Sequence, residues 1–342
     1  MSRRPFRLPT EGRPFLELAC LGRTGPTGQW LSAAQIEQIR RTVTRTPEVM
    51  VKVTGGGTKA GAVAAHFAYI SRRGKLEIET DEGERSTGKE AQKALLHEWH
   101  LDLSAGQYRG PRDGRTAARV TRLVHNVVLS MPAPTPPGKV LAAARVFARE
   151  KFGAQHRYAM VLHTDQAHPH VHLVVKAEGE NGKRLYIDKP MLREWREEFA
   201  RMMRDQGIAA NATPRVVRGR NTGKKHEGIF RAHRHGESYA LRKNVMVMAT
   251  ELNTKGYFGE PTHEKLAETR RAVAANWMSI ADRLERQGEV GLADEVRHFA
   301  KRLPPVRTDT ERLAANFVRH VTRSRRTPIW EREPRDRDPP IR

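Results

Sequence analysis

Two β-strands joined by a short polar turn are predicted by residues 158–177, YAMVLHTDQAHPHVHLVVKA. Side chains two residues apart on a strand point to the same side of the sheet, so His170 and His172 project together while Val171 faces the core. If the hairpin closes, His163 at the end of the first strand meets them. The stretch therefore predicts three imidazoles on one face of a sheet.

Four imidazoles and one carboxylate lie within the ten residues from His163 to His172. The apolar residues 173–175 follow directly, so the strand that carries these histidines is expected to be buried. Burying an imidazole without a hydrogen-bond partner costs about 1 to 3 kcal/mol of folding free energy. A bound metal removes that cost, because neutral imidazoles from adjacent strands bind a divalent cation and leave coordination positions open for a substrate oxygen. We expect His163, His170 and His172 to be the metal ligands. The simpler alternative is a set of surface or hydrogen-bonded histidines.

On either side of this hairpin, the chain alternates segments with strand-like and helix-like periodicity. The predicted strands are Val49–Thr54, Leu76–Thr80 and Arg122–Ser130, and the predicted helices are Lys59–Arg73, Lys89–Leu103, Val140–Lys151 and one that begins near Asp188 and ends at Gly207. This order, with a hairpin near its end, favours an antiparallel sheet over a doubly wound parallel one. The predicted fold class is α+β, with an antiparallel β-sheet palm packed by helices and a mainly α-helical C-terminal region.

Changes in composition divide the chain into five predicted segments. They are a flexible N-terminal arm over 1–47, in which Ala33–Thr44 could form a short helix, a catalytic domain over 48–218, a basic linker over 219–238, a helical accessory region over 239–325 and a disordered tail over 326–342. The linker belongs to a longer stretch, 214–236, that has seven Lys or Arg and a single acidic residue. Such a stretch is either a linker or a strap that lies on DNA phosphates.

The charge of the chain predicts a polyanionic partner. There are 62 Lys and Arg against 39 Asp and Glu, a formal net charge of +23, and nucleic acid is the partner that such an excess favours. Composition alone is equally compatible with a basic binding protein that has no catalytic activity. The single cysteine, Cys20, excludes an intramolecular disulfide and a zinc cluster of thiolates. Because there is no apolar run of about 18 residues and no secretory signal, we expect a cytoplasmic protein without membrane insertion.

A tyrosine segment far upstream completes the pattern. The sequence AHFAYISRRGK, residues 65–75, places Tyr69 on a predicted helix just before three basic residues. Together with His170-Val171-His172, this segment resembles the HUH endonucleases, which are named for two histidines that flank one hydrophobic residue. The closer resemblance is to mobilisation and conjugative relaxases of the MobP or VirD type, in which the nucleophilic tyrosine lies N-terminal to the histidine motif, as Tyr69 does here.

The resemblance implies a role for each residue of the site. Tyr69 would be the nucleophile, and since a phenol ionises only near pH ~10, Asp165 or His168 would accept its proton. In some relaxases of this type the first histidine and the aspartate of the motif are assigned to proton transfer, so His163 is either a metal ligand or part of that transfer. The metal would be Mg²⁺ or Mn²⁺. The residues expected to contact DNA are Arg72, Arg73, Lys75, Ser130, Arg215, Arg218, Arg220, Lys224 and Lys225.

The resemblance also implies a reaction and a set of partners. The reaction is the nicking of single-stranded DNA at a transfer origin, which leaves a 5′-phosphotyrosine and a free 3′-hydroxyl. The partners are relaxosome accessory proteins and a type IV coupling protein in the bacterial cytoplasm, and the protein could enter the recipient cell with the DNA. The alternatives are a rolling-circle replication initiator or a transposase of the same superfamily, or a basic DNA-binding protein without catalysis.

Overall fold

A computed structural model describes two compact units of the chain. The described residues are 30–101, 121–220 and 261–308, together with Met246, Thr250, Thr254 and Glu311. They fall into two compact units that divide between Thr213 and Pro214. The first unit contains a β-sheet and the second contains a helical hairpin.

The first unit combines one sheet with five helices in its described residues. The strands are β1 Met50–Gly55, β2 Ile78–Thr80, β3 Arg85–Ser86, β4 Val124–Ser130, β5 Tyr158–His163 and β6 His170–Lys176. The helices are α1 Ala33–Val43, α2 Ala60–Ile70, α3 Gly88–Glu98, α4 Pro137–Phe152 and α5 Lys189–Asp205. The strands form one sheet in the order β1-β4-β6-β5-β2-β3, and every neighbouring pair is antiparallel. The predicted α+β class with an antiparallel sheet is confirmed.

Each face of the sheet packs against a pair of helices. Val171 and Leu173 of β6 belong to a buried apolar cluster with side chains of α4 and α5. Val174 belongs to a second cluster, on the other face, with side chains of α2 and α3. Because strand side chains alternate between the two faces, His170 and His172 lie on the same side as Val174 and α2.

Most predicted elements are present with shifts of one to three residues at their ends, but α3 ends at Glu98, five residues before the predicted end at Leu103. Strand β5 has the predicted bounds, and β6 ends at Lys176, one residue earlier than predicted. Helix α5 begins where predicted, since the Asp188 side chain accepts a hydrogen bond from the Met191 N–H at 2.8 Å and Pro190 lies in the first turn. Strand β3 was not predicted, because two residues are too few to show an alternating pattern.

Helix α1 lies in the segment predicted as a flexible arm. Ser32 caps it: the Ser32 hydroxyl accepts a hydrogen bond from the Gln35 N–H, and the Gln35 side chain accepts one from the Ser32 N–H at 2.8 Å. Ile39 is fully buried, and the hydroxyl oxygens of Thr42 and Thr213 lie 3.0 Å apart. The described part of the predicted arm therefore contains a packed helix, in agreement with the short helix predicted over Ala33–Thr44.

The second unit is built on two helices, α6 Pro261–Arg286 and α7 Val290–Lys301. Trp277, on the apolar stripe of α6, is fully buried, and its ring centroid lies 5.1 Å from that of Phe299. The indole N–H of Trp277 donates a hydrogen bond to the Val217 carbonyl oxygen at 2.8 Å. The predicted helical C-terminal region is confirmed, and Val217 packs within it rather than in the first unit.

Several predicted segments lie outside the described residues. They are most of the linker predicted over 219–238, parts of the accessory region predicted over 239–325 and the tail predicted over 326–342. Among the helices that the structure describes, none is both long and apolar enough to cross a bilayer.

Phe147 of α4 offers a test of the larger apolar cluster. Its side chain is fully buried, with ring contacts to Phe152, Trp195 and Phe199. Phe147→Ala should lower the free energy of unfolding by about 3 to 5 kcal/mol, because the lost ring leaves a cavity. Urea unfolding of the full chain, followed by far-UV circular dichroism, measures the loss. Lys139→Ala, at an exposed position of the same helix, should change stability by less than about 0.5 kcal/mol, and an equal loss in both variants would contradict the assigned core.

Candidate active site

The histidine motif lies where three strands of the sheet end side by side. His170, the first residue of β6, pairs with His163 of β5 on one side and with Ser130 of β4 on the other. His172 follows two residues along β6, on the same face. The strand pairing therefore brings His163 to the other two histidines, as expected from the hairpin.

The three histidines form a compact cluster. The ring centroid of His163 lies 5.0 Å from that of His170 and 4.5 Å from that of His172, and the last two centroids are 5.1 Å apart. One ring nitrogen from each histidine lies within 4.8 Å of the other two. His163 exposes 1% of its surface and His170 exposes 8%, so both rings are sheltered from water. The arrangement has the size and the ligand type of a site for one metal ion.

Hydrogen bonds fix the position of the proton on two of these rings. The Nε2 atom of His163 lies 2.6 Å from the Ile70 carbonyl oxygen, and since a carbonyl can only accept, Nε2 carries the proton and Nδ1 keeps a lone pair. The Nδ1 atom of His170 lies 3.1 Å from the His168 carbonyl oxygen, so there Nε2 keeps the lone pair. The buried Nδ1 of His172 has no hydrogen-bond partner. Each neutral ring thus has one nitrogen that can bind a cation.

Burial favours the neutral form of two histidines in the cluster. It is the largest cause that lowers the pKa of His172 to about 3, and the neighbouring His163 and His170 lower it further. Burial is also the largest cause of the lowered pKa of His163. At neutral pH these rings carry no charge, which is the form that binds metal ions.

Tyr69 lies beside the cluster, near the C-terminal end of α2. Val63, Phe67 and Ile70 are fully buried on one face of this helix, whereas Tyr69 exposes 58% of its surface. The Tyr69 ring centroid is 6.5 Å from that of His172, with the ring planes 89° apart. The helix therefore presents an accessible phenol next to the histidine cluster.

His66, one helical turn before Tyr69, is a neighbour to which the sequence analysis gave no role. Its ring centroid lies 6.4 Å from that of Tyr69 and 6.3 Å from that of His172, and its buried Nε2 has no hydrogen-bond partner. Burial lowers the pKa of His66. The spacing of three residues from Tyr69 could have identified it, because residues i and i+3 share one face of a helix.

The chain turns sharply after α2, and this turn positions Arg72. The φ angles of Arg72, Arg73 and Gly74 are 53°, 59° and 86°, all in the left-handed region, which is strained for residues other than glycine. At Gly74 a β-carbon would lie 2.8 Å from backbone atoms of Gly88, so no larger residue fits there without a shift. Helix α2 therefore ends at Ile70, and the prediction that it continues to Arg73 was wrong.

The Arg72 guanidinium joins the tyrosine segment to the histidine motif. Its Nη2 lies 2.5 Å from Oδ2 of Asp165 and 3.2 Å from Nδ1 of His163. Its Nη1 donates to the Tyr69 carbonyl oxygen at 3.2 Å, and its Cζ lies 5.2 Å from the centroid of the Tyr69 ring, within the range of a cation–π contact. Arg72, which we expected to contact a DNA phosphate, is thus engaged within the protein.

The same contact sets the charge of Asp165. The hydrogen bond from Arg72 is the largest cause of the lowered pKa of this carboxyl group. Asp165 is half exposed, and its Oδ1 lies 3.9 Å from Nδ1 of His163. At neutral pH it is an ionised carboxylate at the border between Arg72 and the histidine cluster.

The other two predicted residues of this region have different partners. His168 is exposed, and its Nδ1 accepts a hydrogen bond from the Ala133 N–H at 3.1 Å, in the loop after β4. Ser130 exposes only 4% of its surface, and its hydroxyl donates to the Pro169 carbonyl oxygen at 3.1 Å. The Ser130 hydroxyl therefore holds the turn before β6 and does not face the solvent.

A basic groove runs beside Tyr69. It has a volume of about 780 Å³ and is lined by Ala65, Ala68, Tyr69, Arg72, Arg73 and Lys75. Arg73 and Lys75 are exposed. The small alanine side chains leave room for a DNA strand to approach the helix, and the two exposed cations favour a phosphate backbone.

Three of the remaining residues expected to contact DNA lie in the second unit. Arg215 and Arg220 are exposed there, and Arg218 is partly buried. Lys224 and Lys225 lie outside the described residues.

Comparison with known proteins defines the class of the catalytic domain. Residues 81–208 match the family described as "Relaxase: MobA/VirD2-like, nuclease domain". This match confirms the resemblance seen in the sequence, which was to an HUH-type relaxase nuclease domain. The matched residues include the histidine motif but begin after Tyr69. The evidence for a role of this tyrosine is therefore the position of α2 beside the histidine cluster.

Particular relatives are the T-DNA border endonucleases VirD2. The identity is 29% with the protein of Rhizobium rhizogenes, 27% with that of Rhizobium radiobacter and 29% with that of Agrobacterium fabrum, each over 186 residues. The alignments cover 50% of this chain and 41% to 43% of the relatives, so the chain spans less than half of their length.

One solved structure also aligns with the chain, and its title is "Molecular Basis of Vancomycin Resistance Transfer in Staphylococcus aureus". The alignment covers 49% of this chain and 99% of that one, with 13% identity and a TM-score of 0.31. A similarity this low supports no conclusion about fold or function.

The neutral histidine cluster predicts that stability depends on pH. The pKa of His172 is about 3 in the folded protein and ~6.5 in an unfolded chain, so below pH ~6.5 the unfolded chain binds more protons. This contribution to stability is complete above pH ~6.5 and is lost as the pH falls towards the folded pKa. With EDTA present, the urea midpoint should fall between pH ~7 and ~4, and it should fall less in His172→Gln. An identical fall in both proteins would mean that His172 contributes nothing.

Proposed function

We propose that this protein is a DNA relaxase that nicks single-stranded DNA at one site and on one strand of a transfer origin. The observation that carries the proposal is the exposed Tyr69 phenol, whose ring centroid is 6.5 Å from that of His172 in a three-histidine cluster. The match to a relaxase nuclease domain and the similarity to the VirD2 endonucleases support the same activity. Its role would be to start the mobilisation of a plasmid or mobile element by conjugation.

His163, His170 and His172 would hold a divalent cation, Mg²⁺ or Mn²⁺. Three observations support this fit: the ring nitrogens converge within 4.8 Å, burial lowers the pKa of His163 and of His172, and the buried Nδ1 of His172 lacks a partner. Such a cation supplies positive charge at the scissile phosphate oxygens, where negative charge increases during the reaction.

Tyr69 would carry out the covalent chemistry. Its hydroxyl loses a proton, its oxygen bonds to the scissile phosphorus, and the bond between phosphorus and the 3′ oxygen breaks. The products are a 5′-phosphotyrosine on Tyr69 and a strand whose 3′ oxygen takes up a proton. One phosphoester replaces another, so the bond energy is conserved and the strand can be rejoined without ATP.

Asp165 and His168 are the proposed acceptors of the tyrosine proton, and the contacts favour Asp165. Arg72 bonds to the Asp165 carboxylate and also to the Tyr69 backbone, whereas the His168 ring is held by the Ala133 N–H. The lowered pKa of Asp165 makes it a weak base on its own. The positive charge of Arg72 beside the Tyr69 ring assists, because it stabilises the phenolate as it forms.

The DNA strand would lie in the basic groove beside Tyr69. Arg73 and Lys75 are placed to contact phosphates next to the scissile one, and Ser130 would contribute through the turn that it holds rather than by direct contact. The other basic residues predicted to contact DNA would add affinity that depends on salt. These residues are Arg215, Arg218, Arg220, Lys224 and Lys225.

The proposed setting is the bacterial cytoplasm. Relaxosome accessory proteins and a type IV coupling protein would be the partners, and the covalent adduct would enter the recipient cell with the DNA. The position of Tyr69 before the histidine motif favours a relaxase over a rolling-circle initiator, in which the tyrosine usually follows that motif. A binding protein without catalysis would have no use for an exposed phenol beside three clustered imidazoles.

Tyr69→Phe tests the nucleophile. Purified full-length protein, Mn²⁺ or Mg²⁺ and a single-stranded oligonucleotide from a candidate origin should give a covalent adduct that survives a denaturing gel. Tyr69→Phe should give no adduct above background, because it lacks the attacking oxygen. Tyr186→Phe is the matched control, since Tyr186 is also exposed, at 71% of its surface. An adduct that persists in Tyr69→Phe would assign the reaction to another residue.

His170→Ala and His172→Ala test the proposed metal site. Each should reduce adduct formation by about 100-fold or more, because the phosphate loses the charge that the cation supplies. Binding of the same oligonucleotide, measured by fluorescence anisotropy over a range of salt concentrations, should change little because exposed basic residues provide most of the affinity. His97→Ala removes an exposed histidine and should leave both measurements unchanged. A parallel loss of binding and adduct formation would count against a metal site.

A further inference from the structure

Arg72 and His163 are in contact at the atom that a metal ion would need. The Nη2 of Arg72 lies 3.2 Å from Nδ1 of His163. An arginine side chain has only donors, so this contact uses the lone pair of Nδ1. His163 exposes 1% of its surface, and its ring is held in this orientation by the Ile70 carbonyl oxygen, 2.6 Å from Nε2.

The ring of His163 has no second lone pair to offer. Its Nε2 carries the proton that it donates to Ile70, so Nδ1 is the nitrogen that remains for a cation. One lone pair cannot accept a hydrogen bond from a guanidinium and bind a metal ion at the same time. The positive charge of Arg72 would also repel a cation at that distance.

We propose that Arg72 competes with the divalent cation for Nδ1 of His163, so that metal binding and the Arg72–His163 hydrogen bond exclude each other. This inference rests on the proposed metal site. Arg72 therefore tunes how tightly the histidine cluster holds its metal, a role distinct from contact with DNA phosphates.

The guanidinium has other partners when the cation takes His163. Its Nη2 is 2.5 Å from Oδ2 of Asp165, its Nη1 bonds to the Tyr69 carbonyl oxygen, and its Cζ lies over the Tyr69 ring. Arg72 can thus give up His163 and still keep Asp165 and Tyr69. Metal binding would therefore move the charge of Arg72 away from the cluster while leaving it beside the nucleophile.

Isothermal titration calorimetry tests this competition. Mn²⁺ is titrated into the full-length protein in the absence of DNA. Arg72→Gln should bind Mn²⁺ about tenfold more tightly than the wild type, since one competing charge is removed from contact with a ligand. Arg73→Gln removes the same charge from the next residue, which is exposed and lines the groove, and should change the affinity by less than about twofold.

Each result of this titration supports or overturns the inference. If the wild type and Arg72→Gln bind Mn²⁺ equally, or if Arg73→Gln gains as much as Arg72→Gln, the competition is refuted while the metal site stands. If neither the wild type nor Arg72→Gln binds Mn²⁺, the metal site itself is refuted, and the competition with it. If Arg72→Gln binds Mn²⁺ and the wild type does not, the competition is supported, and Arg72 then prevents metal binding in the absence of DNA.

A second measurement does not depend on the folding of a variant. In wild-type protein labelled with ¹⁵N-arginine, saturating Mg²⁺ should shift the guanidinium resonances of Arg72, because its hydrogen bond to His163 is lost. The resonances of Arg73 should stay in place. Arg72 resonances that do not move while Mg²⁺ shifts the histidine signals of the cluster would overturn the competition.

Discussion

The pairing of His163 with His170 across β5 and β6 is the constraint on which the rest of the site depends. It brings two buried imidazoles together, and the alternation along β6 then adds His172 to the same face. A shift of one residue in β6 would turn both β6 histidines toward the apolar cluster of α4 and α5. Val171 and Leu173 would face the other way, so the register is fixed by the burial of apolar side chains rather than by the histidines themselves.

The histidine cluster in turn fixes the helix that carries the tyrosine. The His163 ring donates a hydrogen bond to the carbonyl oxygen of Ile70, which is the neighbour of Tyr69 in the chain. Ile70 is also fully buried, so packing and hydrogen bonding hold the same end of α2 against the sheet. A single imidazole therefore connects the sheet to the helix, and the distance between the phenol and the cluster does not depend on a flexible loop.

The sequence was sufficient to predict the features that follow from simple periodicity. The hairpin and the shared face of His170 and His172 depend on a repeat of two residues, and the helix that carries Tyr69 depends on a repeat of about 3.6 residues. The end of α2 was not predictable in this way, because it depends on the close approach of Gly74 to Gly88, residues brought together only by the fold.

Contacts between residues distant in the chain were also beyond the sequence pattern. Arg72 was assigned to phosphate because a basic residue beside a tyrosine suggests it, yet its partner Asp165 lies 93 residues away. Ser130 was assigned to phosphate from the resemblance to relaxases, but its buried hydroxyl donates a hydrogen bond to the Pro169 carbonyl oxygen. In both cases the residue type was informative, and the partner was decided by the tertiary structure.

The position of Arg72 links the charges of the groups around Tyr69. Its hydrogen bond to Asp165 lowers the pKa of that carboxyl group, so the contact that holds Asp165 near Tyr69 also weakens it as a base. The same guanidinium lies 5.2 Å from the centroid of the Tyr69 ring and 3.2 Å from Nδ1 of His163. One side chain therefore contacts the proposed nucleophile, the proposed proton acceptor and a proposed metal ligand, so the position of Arg72 links the three parts of the proposed site.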